Sequence, residues 1–490
     1  MIITFDNTVA LIQPEDSTDL QAYVTVREQF KAMAPGAQYM QAHKLYLKTK
    51  GARGWDGRTS IMSKPHYKNH SGFFPTGMLP AVHTALVCLA KLNITLVDKR
   101  VQPSILTPAA YTVPLKGYQA DALNAAICNR IQMGTSQGFD WPNGVLQIAT
   151  GGGKTELAVA MCQALPVPTM FIVHRKHLVT QARQRFGKYG IDTGQIGDGV
   201  FEPYTAGITV ATVQTLDRLF KEGDNAKIKQ FLGAEQIFFD EAHLCASKVS
   251  TGNQLVSVAR EFRRAFYRWG LTATPFMKDD YSNQLLMGCT GDRLTLVSNS
   301  MLIQTGDLTP PRVQMIHMPD IGKPKGWPEV YDWAIIMNRQ RNDRIISELE
   351  TCPKPALVMT SRLSHAHCLH NLAIKQGISL PAVQCGATPN KERNQTIADL
   401  QSGKEEAIIT TTIFDEGVDI PDLRTIILAG GGKSPVAQLQ RLGRGLRTNP
   451  GKSEVLIIDF DDQTGAVLKR HSKARRKVWE DEGFTIEEKR

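Results

Sequence analysis

Between residues 145 and 274 five short, largely apolar runs alternate with segments of helical spacing: VLQI (145–148), MFIVH (170–174), ITVAT (208–212), QIFFDE (236–241) and YRWGLTAT (267–274). Runs of this kind lack the polar residue at every second position that gives a strand one wet face, so both faces must be covered. Helices between them supply the crossovers that parallel strands require. A second series follows: PALVMT (355–360), AVQCG (382–386), EAIITTT (406–412), RTIILAG (424–430) and EVLIIDF (454–460). The expected fold is α/β, with two parallel-sheet units in tandem. The turn-rich GDLTPP (306–311) is expected to separate residues 106–305 from 306–490. Residues 1–105 break the rhythm and are expected to form a small α+β domain.

Composition narrows the class. With 42% hydrophobic and 21% charged residues the chain is neither disordered nor fibrous. No apolar run reaches the roughly 18 residues of a membrane-spanning helix, and MIITFDNTVALIQPED meets acids too early to read as a signal peptide. A cytosolic chain without a membrane partner is expected, and its eight scattered cysteines, with no CxxC pair, fit free thiols. The net charge of +10 favours a polyanionic partner. Between Arg27 and Lys68 nine basic residues face two acidic ones, a local balance of +7.

The run VLQI leads into ATGGGKT (149–155). A strand, a glycine loop and a helix opening with Lys-Thr aim backbone N–H groups and the positive end of the helix dipole at a phosphate. Lys154 would meet the β- and γ-phosphates and the Thr155 hydroxyl would hold Mg²⁺. The strict form of this loop has glycine where this chain has Ile148. The strand QIFFDE ends in two adjacent carboxylates, Asp240 and Glu241, in the segment DEAH (240–243). Asp240 would coordinate Mg²⁺ and Glu241 would deprotonate the attacking water.

A second strand, IILAGGGKSP (426–435), imitates the loop, with LIIDFDD (456–462) as its acidic counterpart. Pro435 follows the serine at once and no adjacent Asp-Glu pair accompanies it, so a mimic is expected. Further on, QLQRLGRGLR (438–447) places Arg441, Arg444 and Arg447 three residues apart, on adjoining parts of one helical surface. Such guanidiniums suit a γ-phosphate.

Taken together, these segments resemble the superfamily 2 helicases, and within them the phage UvsW-type branch-migration helicases. The resemblance covers roughly residues 110–460. GYQADAL (117–123) is similar to the adenine-reading motif, ATGGGKT to motif I, FIVHRKHLVTQ (171–181) to motif Ia and TVQTL (212–216) to the third DNA-contact motif. DEAH, GLTATP (270–275), LVMTSR (357–362), ITTTIFDEGVDIP (409–421) and QLQRLGRGLR resemble motifs II to VI. The resemblance implies two RecA-like domains enclosing ATP and Mg²⁺. Lys116, Gln119, Thr150, Gly151, Gly152, Gly153, Lys154, Thr155, Gly417 and Asp419 would then meet the nucleotide. Gln440 would position the water, Arg444 and Arg447 would act as fingers, and Thr272 and Thr274 would couple hydrolysis to movement. The strand-gripping residues would be His174, Arg175, Gln181, Thr212, Gln214, Ser361, Arg362, Thr410 and Thr411.

The family tendency is movement 3′ to 5′ along forked, branched or partly single-stranded DNA, by a monomer working in the host cytoplasm alongside phage recombination or replication proteins. RGWDGR (53–58) and SGFFPTGMLP (71–80) resemble the UvsW-type N-terminal domain, and Trp55 and Arg58 would contact DNA there. Tyr39, Tyr46, Tyr67, Phe73 and Phe74 lie among the same basic residues. The alternative is a small aromatic core with solvated lysines, and the basic run KRHSKARRK (469–477) divides in the same way. HAHCLH (365–370) offers zinc-ligand residue types, but on one helix His367 would point away from His365 and Cys368. An RNA helicase, a duplex translocase that does not separate strands, a restriction-type motor and a non-hydrolysing DNA scaffold are the rival functions. The scaffold would be expected to lack Lys154, Glu241 or Arg447, and all three are present.

Overall fold

The computed structural model describes residues 1–490 except 35–36, 38–39, 50–53, 55, 91, 133–137, 247–249, 277–279, 323–326, 412–421, 433–447, 450 and 490. The chain divides into two compact units, one comprising Met1–Ile148 with Gly153–Leu296 and the other Ala149–Gly152 with Val297–Arg490.

The first unit opens with a four-stranded sheet in the order Gly72–Pro75, Val9–Gln13, Ile2–Phe5, Thr95–Asp98. Its last pair is parallel and the other two are antiparallel. The period of two sorts its residues by face. Ala10 pairs with Phe74 and both are buried, whereas the next pair, Leu11 and Phe73, is exposed. Helices Ser17–Gln29 and Leu79–Ala90 supply Tyr23, Val26, Leu79 and Val82 to the core beneath this sheet, which Trp141 also enters. The Asp16 side chain caps the first of these helices by accepting from the Asp19 N–H at 2.8 Å.

The eight-stranded sheet of the same unit runs in the order Val200–Glu202, Thr193–Gly197, Ile208–Thr212, Thr169–Val173, Gln236–Asp240, Tyr267–Thr272, Asn143–Ile148, Arg293–Val297. The strands from Thr193–Gly197 to Asn143–Ile148 pair in parallel. Both faces are covered. Val145, Met170, Ile172, Ile237 and Phe239 pack with Leu216, Phe262 and Leu286. Phe171 and Phe238 face one another at 5.8 Å, with Phe186 edge-on to Phe171.

The second unit holds a six-stranded, wholly parallel sheet in the order Ala407–Thr410, Ala356–Met359, Thr425–Leu428, Val455–Asp462, Pro311–Met318, Thr485–Lys489. The molecule is thus a mixed α/β protein with two RecA-like parallel sheets and a small N-terminal α+β portion. The expected strand at AVQCG is a single parallel bridge from Gln384 to Thr410. Its place at the edge beside Ala407–Thr410 leaves no second neighbour to extend it. Among the described residues no helix is long and apolar enough to cross a membrane.

Charge lies deep in the second unit. Arg341 and Arg475 are fully buried and face Asp462 at 2.7 Å and Asp459 at 3.0 Å. Their remaining donors reach backbone: Arg341 Nη1 donates to the Ala429 carbonyl at 2.8 Å and Arg475 Nη1 to that of Gly432 at 2.9 Å. Tyr331 donates its hydroxyl to the Gly430 carbonyl at 2.7 Å. The Ala429 and Gly432 carbonyls of the second glycine run thus face guanidiniums of their own unit, and Asp459 and Asp462 are engaged in these pairs.

The HAHCLH segment lies on the helix Leu363–Lys375. His365 is fully buried with Nε2 3.0 Å from Asn342 Oδ1, His370 Nε2 approaches the Pro381 carbonyl at 3.1 Å, and Cys368 is exposed. Among the described residues no group of three ligands forms. Burial, helped by the Arg341 charge, pushes the His365 imidazole down to about 3. The unfolded chain takes up a proton near pH 6.5, so folding loses stability as pH falls from that value toward 3. Lowering pH from 7 to 5 should cost this helix roughly 2 kcal/mol of protection. Hydrogen exchange of residues 363–375 at the two pH values measures it, and the dependence should flatten in His365→Gln.

Candidate nucleotide-binding site

The strand Asn143–Ile148 ends at the glycine loop, and the helix Lys154–Ala164 begins immediately after it. Gly153 caps that helix with φ 75°, a left-handed conformation that a β-carbon strains. A β-carbon there would also collide with the Gln119 amide. Gln119 is buried; its Nε2 donates to the Gly153 carbonyl at 3.3 Å and its Oε1 accepts from the Lys116 N–H at 2.9 Å. The residue assigned to the adenine is thereby tied to the phosphate loop through backbone. Lys154 Nζ donates to the Ile148 carbonyl at 3.3 Å, which keeps the ammonium over the loop.

Asp240 ends its strand, but that strand is not the direct neighbour of the loop strand. Tyr267–Thr272 lies between them. This inserted strand delivers GLTATP to the same edge of the sheet as the two carboxylates. Glu241 turns out of the strand with φ 51°, a conformation unusual for a side-chain-bearing residue and a mark of functional geometry. Its Oε2 lies 3.3 Å from His243 Nδ1, and the same nitrogen lies 3.1 Å from Thr272 Oγ1. Thr272 Oγ1 in turn accepts from the Thr274 N–H at 3.2 Å. A continuous polar chain thus runs from the carboxylate to the GLTATP turn, through His243, Thr272 and Thr274, all buried.

The two acids are driven apart in proton affinity. Burial raises Asp240 well above the usual carboxylate range, and the Glu241 charge adds to the rise. Burial pushes Glu241 the same way but is outweighed by the His243 hydrogen bond, then by the charges of Lys154, His243 and His174, which hold it low. Glu241 is thus the more readily ionised of the pair, and Asp240 carries the excess negative potential that a cation would relieve. The donors offered to a metal, the Asp240 carboxylate and the Thr155 hydroxyl, are hard oxygens that suit Mg²⁺.

The residues assigned to nucleic acid fall into two sets. Gln214 Nε2 donates to the His174 carbonyl at 3.0 Å, which joins the FIVHRKHLVTQ and TVQTL segments. Arg175 and Gln181 are exposed at the start and middle of the helix Lys176–Lys188. Ser361 and Arg362 are exposed, Arg362 pairing with Asp332 at 2.6 Å and lying over the Tyr331 ring. Thr212 and Thr410 are buried, their hydroxyls engaged with Thr215 Oγ1 at 2.8 Å and the Gln384 carbonyl at 3.0 Å. The Thr212 hydroxyl thus meets a side chain and that of Thr410 a backbone carbonyl. Arg58 is exposed on the strand Arg58–Ser60. Trp55, Gly417, Asp419, Gln440, Arg441, Arg444 and Arg447 lie outside the described residues.

Residues 112–277 match the family model described as type III restriction enzyme, res subunit, and residues 340–449 match the helicase conserved C-terminal domain. Together the two models span more than half of the chain and every element of the phosphate site. The chain belongs to the superfamily 2 helicases. Among the helicases to which it is similar, a Sulfolobus islandicus filamentous virus protein provisionally named helicase 22 is 25% identical over 349 residues, 65% of this chain and 60% of the relative. The ATP-dependent DNA helicase uvsW of Enterobacteria phage T4 is 24% identical over 412 residues, 80% of this chain and 74% of the relative. The fold is similar to that of the type ISP restriction-modification enzyme LlaBIII, with a TM-score of 0.56 at 15% identity over 76% of this chain and 30% of that one. The chain spans three fifths or less of the first curated relatives it matches.

Proposed function

We propose that this chain is an ATP- and Mg²⁺-dependent DNA helicase or translocase that remodels forked or branched DNA in phage recombination, repair and replication. The observation that carries the reading is the polar chain from Glu241 through His243 and Thr272 to Thr274, which rises from the same sheet as the strand Asn143–Ile148 that leads into the glycine loop and the Lys154 helix. Lys154 would hold the phosphates, Thr155 and Asp240 would offer Mg²⁺ a hydroxyl and a carboxylate, and Glu241 would take the proton of the attacking water. Mg²⁺, when bound, neutralises charge on the phosphates. Gln440, Arg444 and Arg447 close the site from residues 306–490, and Gly417 and Asp419 meet the nucleotide. The 106–305 and 306–490 portions alternately clasp and release one ATP, and the exposed Arg175, Gln181, Ser361 and Arg362 step along a strand. Residues 1–105 read the fork, and the enzyme works as a monomer in the host cytoplasm.

DNA as the partner draws support from the phage relative's name and from the basic surplus around residues 27–68. Strand displacement on forks, four-way junctions, linear DNA duplexes and RNA duplexes tests this reading. Forks and junctions should be opened fastest; faster opening of RNA duplexes would replace it with an RNA helicase. Cutting the chain after residue 105 would remove Arg100, whose guanidinium lies 5.1 Å from the Trp141 ring, and would take away most of the core that Trp141 enters. Point substitutions are therefore the cleaner test of the N-terminal portion.

A further inference from the structure

The aromatic residues of the N-terminal portion do not share one environment. Phe74 is fully buried, and Tyr46 is half-buried and stacked on His43. Tyr67 and Phe73, by contrast, are 78% and 57% exposed; Tyr67 lies in the turn that leads from Ser63 into the strand Gly72–Pro75, and Phe73 lies on that strand.

That turn is rigid. The Ser63 N–H donates to the Phe73 carbonyl at 2.9 Å, and the Phe73 N–H donates to Ser63 Oγ at the same distance. Nearer the tip, the His66 N–H donates to the Ser71 carbonyl at 2.7 Å and the His70 N–H to that of His66 at 2.8 Å. From beneath, the buried Tyr23 donates its hydroxyl to the Ser63 carbonyl at 2.7 Å, and Arg27 Nε donates to the same oxygen at 3.0 Å. Gly72 admits that support, since a β-carbon there would strike the Tyr23 hydroxyl. Two exposed rings are therefore held out on a braced backbone, and little ordering entropy is left for a ligand to meet.

The turn itself carries charge of one sign. Lys64 and Lys68 flank the tip, Lys68 Nζ lies 5.6 Å from the Tyr67 ring centre, and residues 57–97 contain no aspartate or glutamate. Glu28, at the base of the turn, is held by Arg27 and Lys31. Exposed rings beside two lysines suit a polyanion that offers a flat apolar face, which is an unpaired base between phosphates.

We propose that the 63–73 turn is a nucleic-acid contact separate from the tracked strand, where Tyr67 stacks on an unpaired base at a branch point. Lys64 and Lys68 neutralise the flanking phosphates. This rests on the branched-DNA reading above and names the residues that would carry it.

Binding of the full chain to a fork carrying 2-aminopurine at the branch, to a linear single strand and to a blunt duplex, without ATP, tests the assignment. Tyr67→Ala should weaken fork binding about tenfold and relieve 2-aminopurine quenching, with single-strand binding nearly unchanged and Tyr67→Phe close to the unsubstituted chain. Lys64→Gln with Lys68→Gln should lower the slope of log affinity against log salt by about two. Unchanged fork binding in Tyr67→Ala, or equal loss on fork and single strand, would overturn the assignment. If the unsubstituted chain itself fails to prefer the fork, the branched-DNA reading falls and takes this one with it. If that preference exists and survives Tyr67→Ala, only the turn's role is lost. A variant altered in self-association but not in DNA binding would mark a protein contact and would also overturn it.

Discussion

Glu241→Gln is expected to lower DNA-stimulated ATP hydrolysis by about 10²- to 10⁴-fold, the range that a positioned general base supplies. The substitution keeps the shape and one acceptor oxygen, so nucleotide and DNA binding should persist. The local electrostatics keep the group in its proton-accepting form. His243 and the Lys154 charge keep this carboxyl ionised although burial opposes it, whereas its neighbour Asp240 is raised. Glutamine cannot accept a proton, and no other carboxylate lies on the chain through His243 and Thr272. Lys154→Ala should be as severe through a different route, because loss of the ammonium above the loop removes phosphate binding as well. Steady-state hydrolysis with saturating single-stranded DNA, set beside fluorescent-nucleotide binding, separates the two. Turnover surviving in Glu241→Gln would reject its role as base.

Arg475→Met is expected to destabilise the second unit by about 3–5 kcal/mol, because it leaves Asp459 charged and unpaired in a dry interior. The guanidinium makes two 3.0 Å bonds to Asp459 and one to the Gly432 carbonyl, and the Trp479 indole donates to the same carboxylate at 3.2 Å. Adding Asp459→Asn should restore much of the loss, since removing both charges is far less costly than stranding one. Urea denaturation of the single and double variants checks this, and a single-variant cost under about 1 kcal/mol would show that the pair is not insulated from water. The Gly432 anchor also fixes the point where the chain enters residues 433–447.

Much of the sheet was legible because its inner strands are buried on both faces. Apolar runs such as MFIV and ALVM announce themselves without periodic analysis. Edge strands did not. VFE and TIEEK are short and carry charge where one side meets water, and their pairing depends on neighbours that pattern alone does not supply. The insertion of Tyr267–Thr272 between the loop strand and the Asp240 strand was equally hidden, since strand order follows from crossovers and not from composition.

In the candidate site, Lys154, Asp240 and Glu241 could be picked out because glycine loops and strand-terminal acids are local signals. The link from His243 to Thr272 spans 29 residues and has no such signal, and neither does the pairing of Arg341 with Asp462 across 121. Thr212 and Thr410 stand at motif positions too, and the burial of their hydroxyls was equally without a local signal.

The most direct test of the account is ATP hydrolysis by Arg447→Ala across a titration of forked DNA, beside the unsubstituted chain. The proposed clasp requires DNA-stimulated turnover in the unsubstituted chain, and its loss by about 10³-fold or more in the variant while ATP still binds. Equal turnover in the two proteins, or turnover indifferent to DNA, would contradict it.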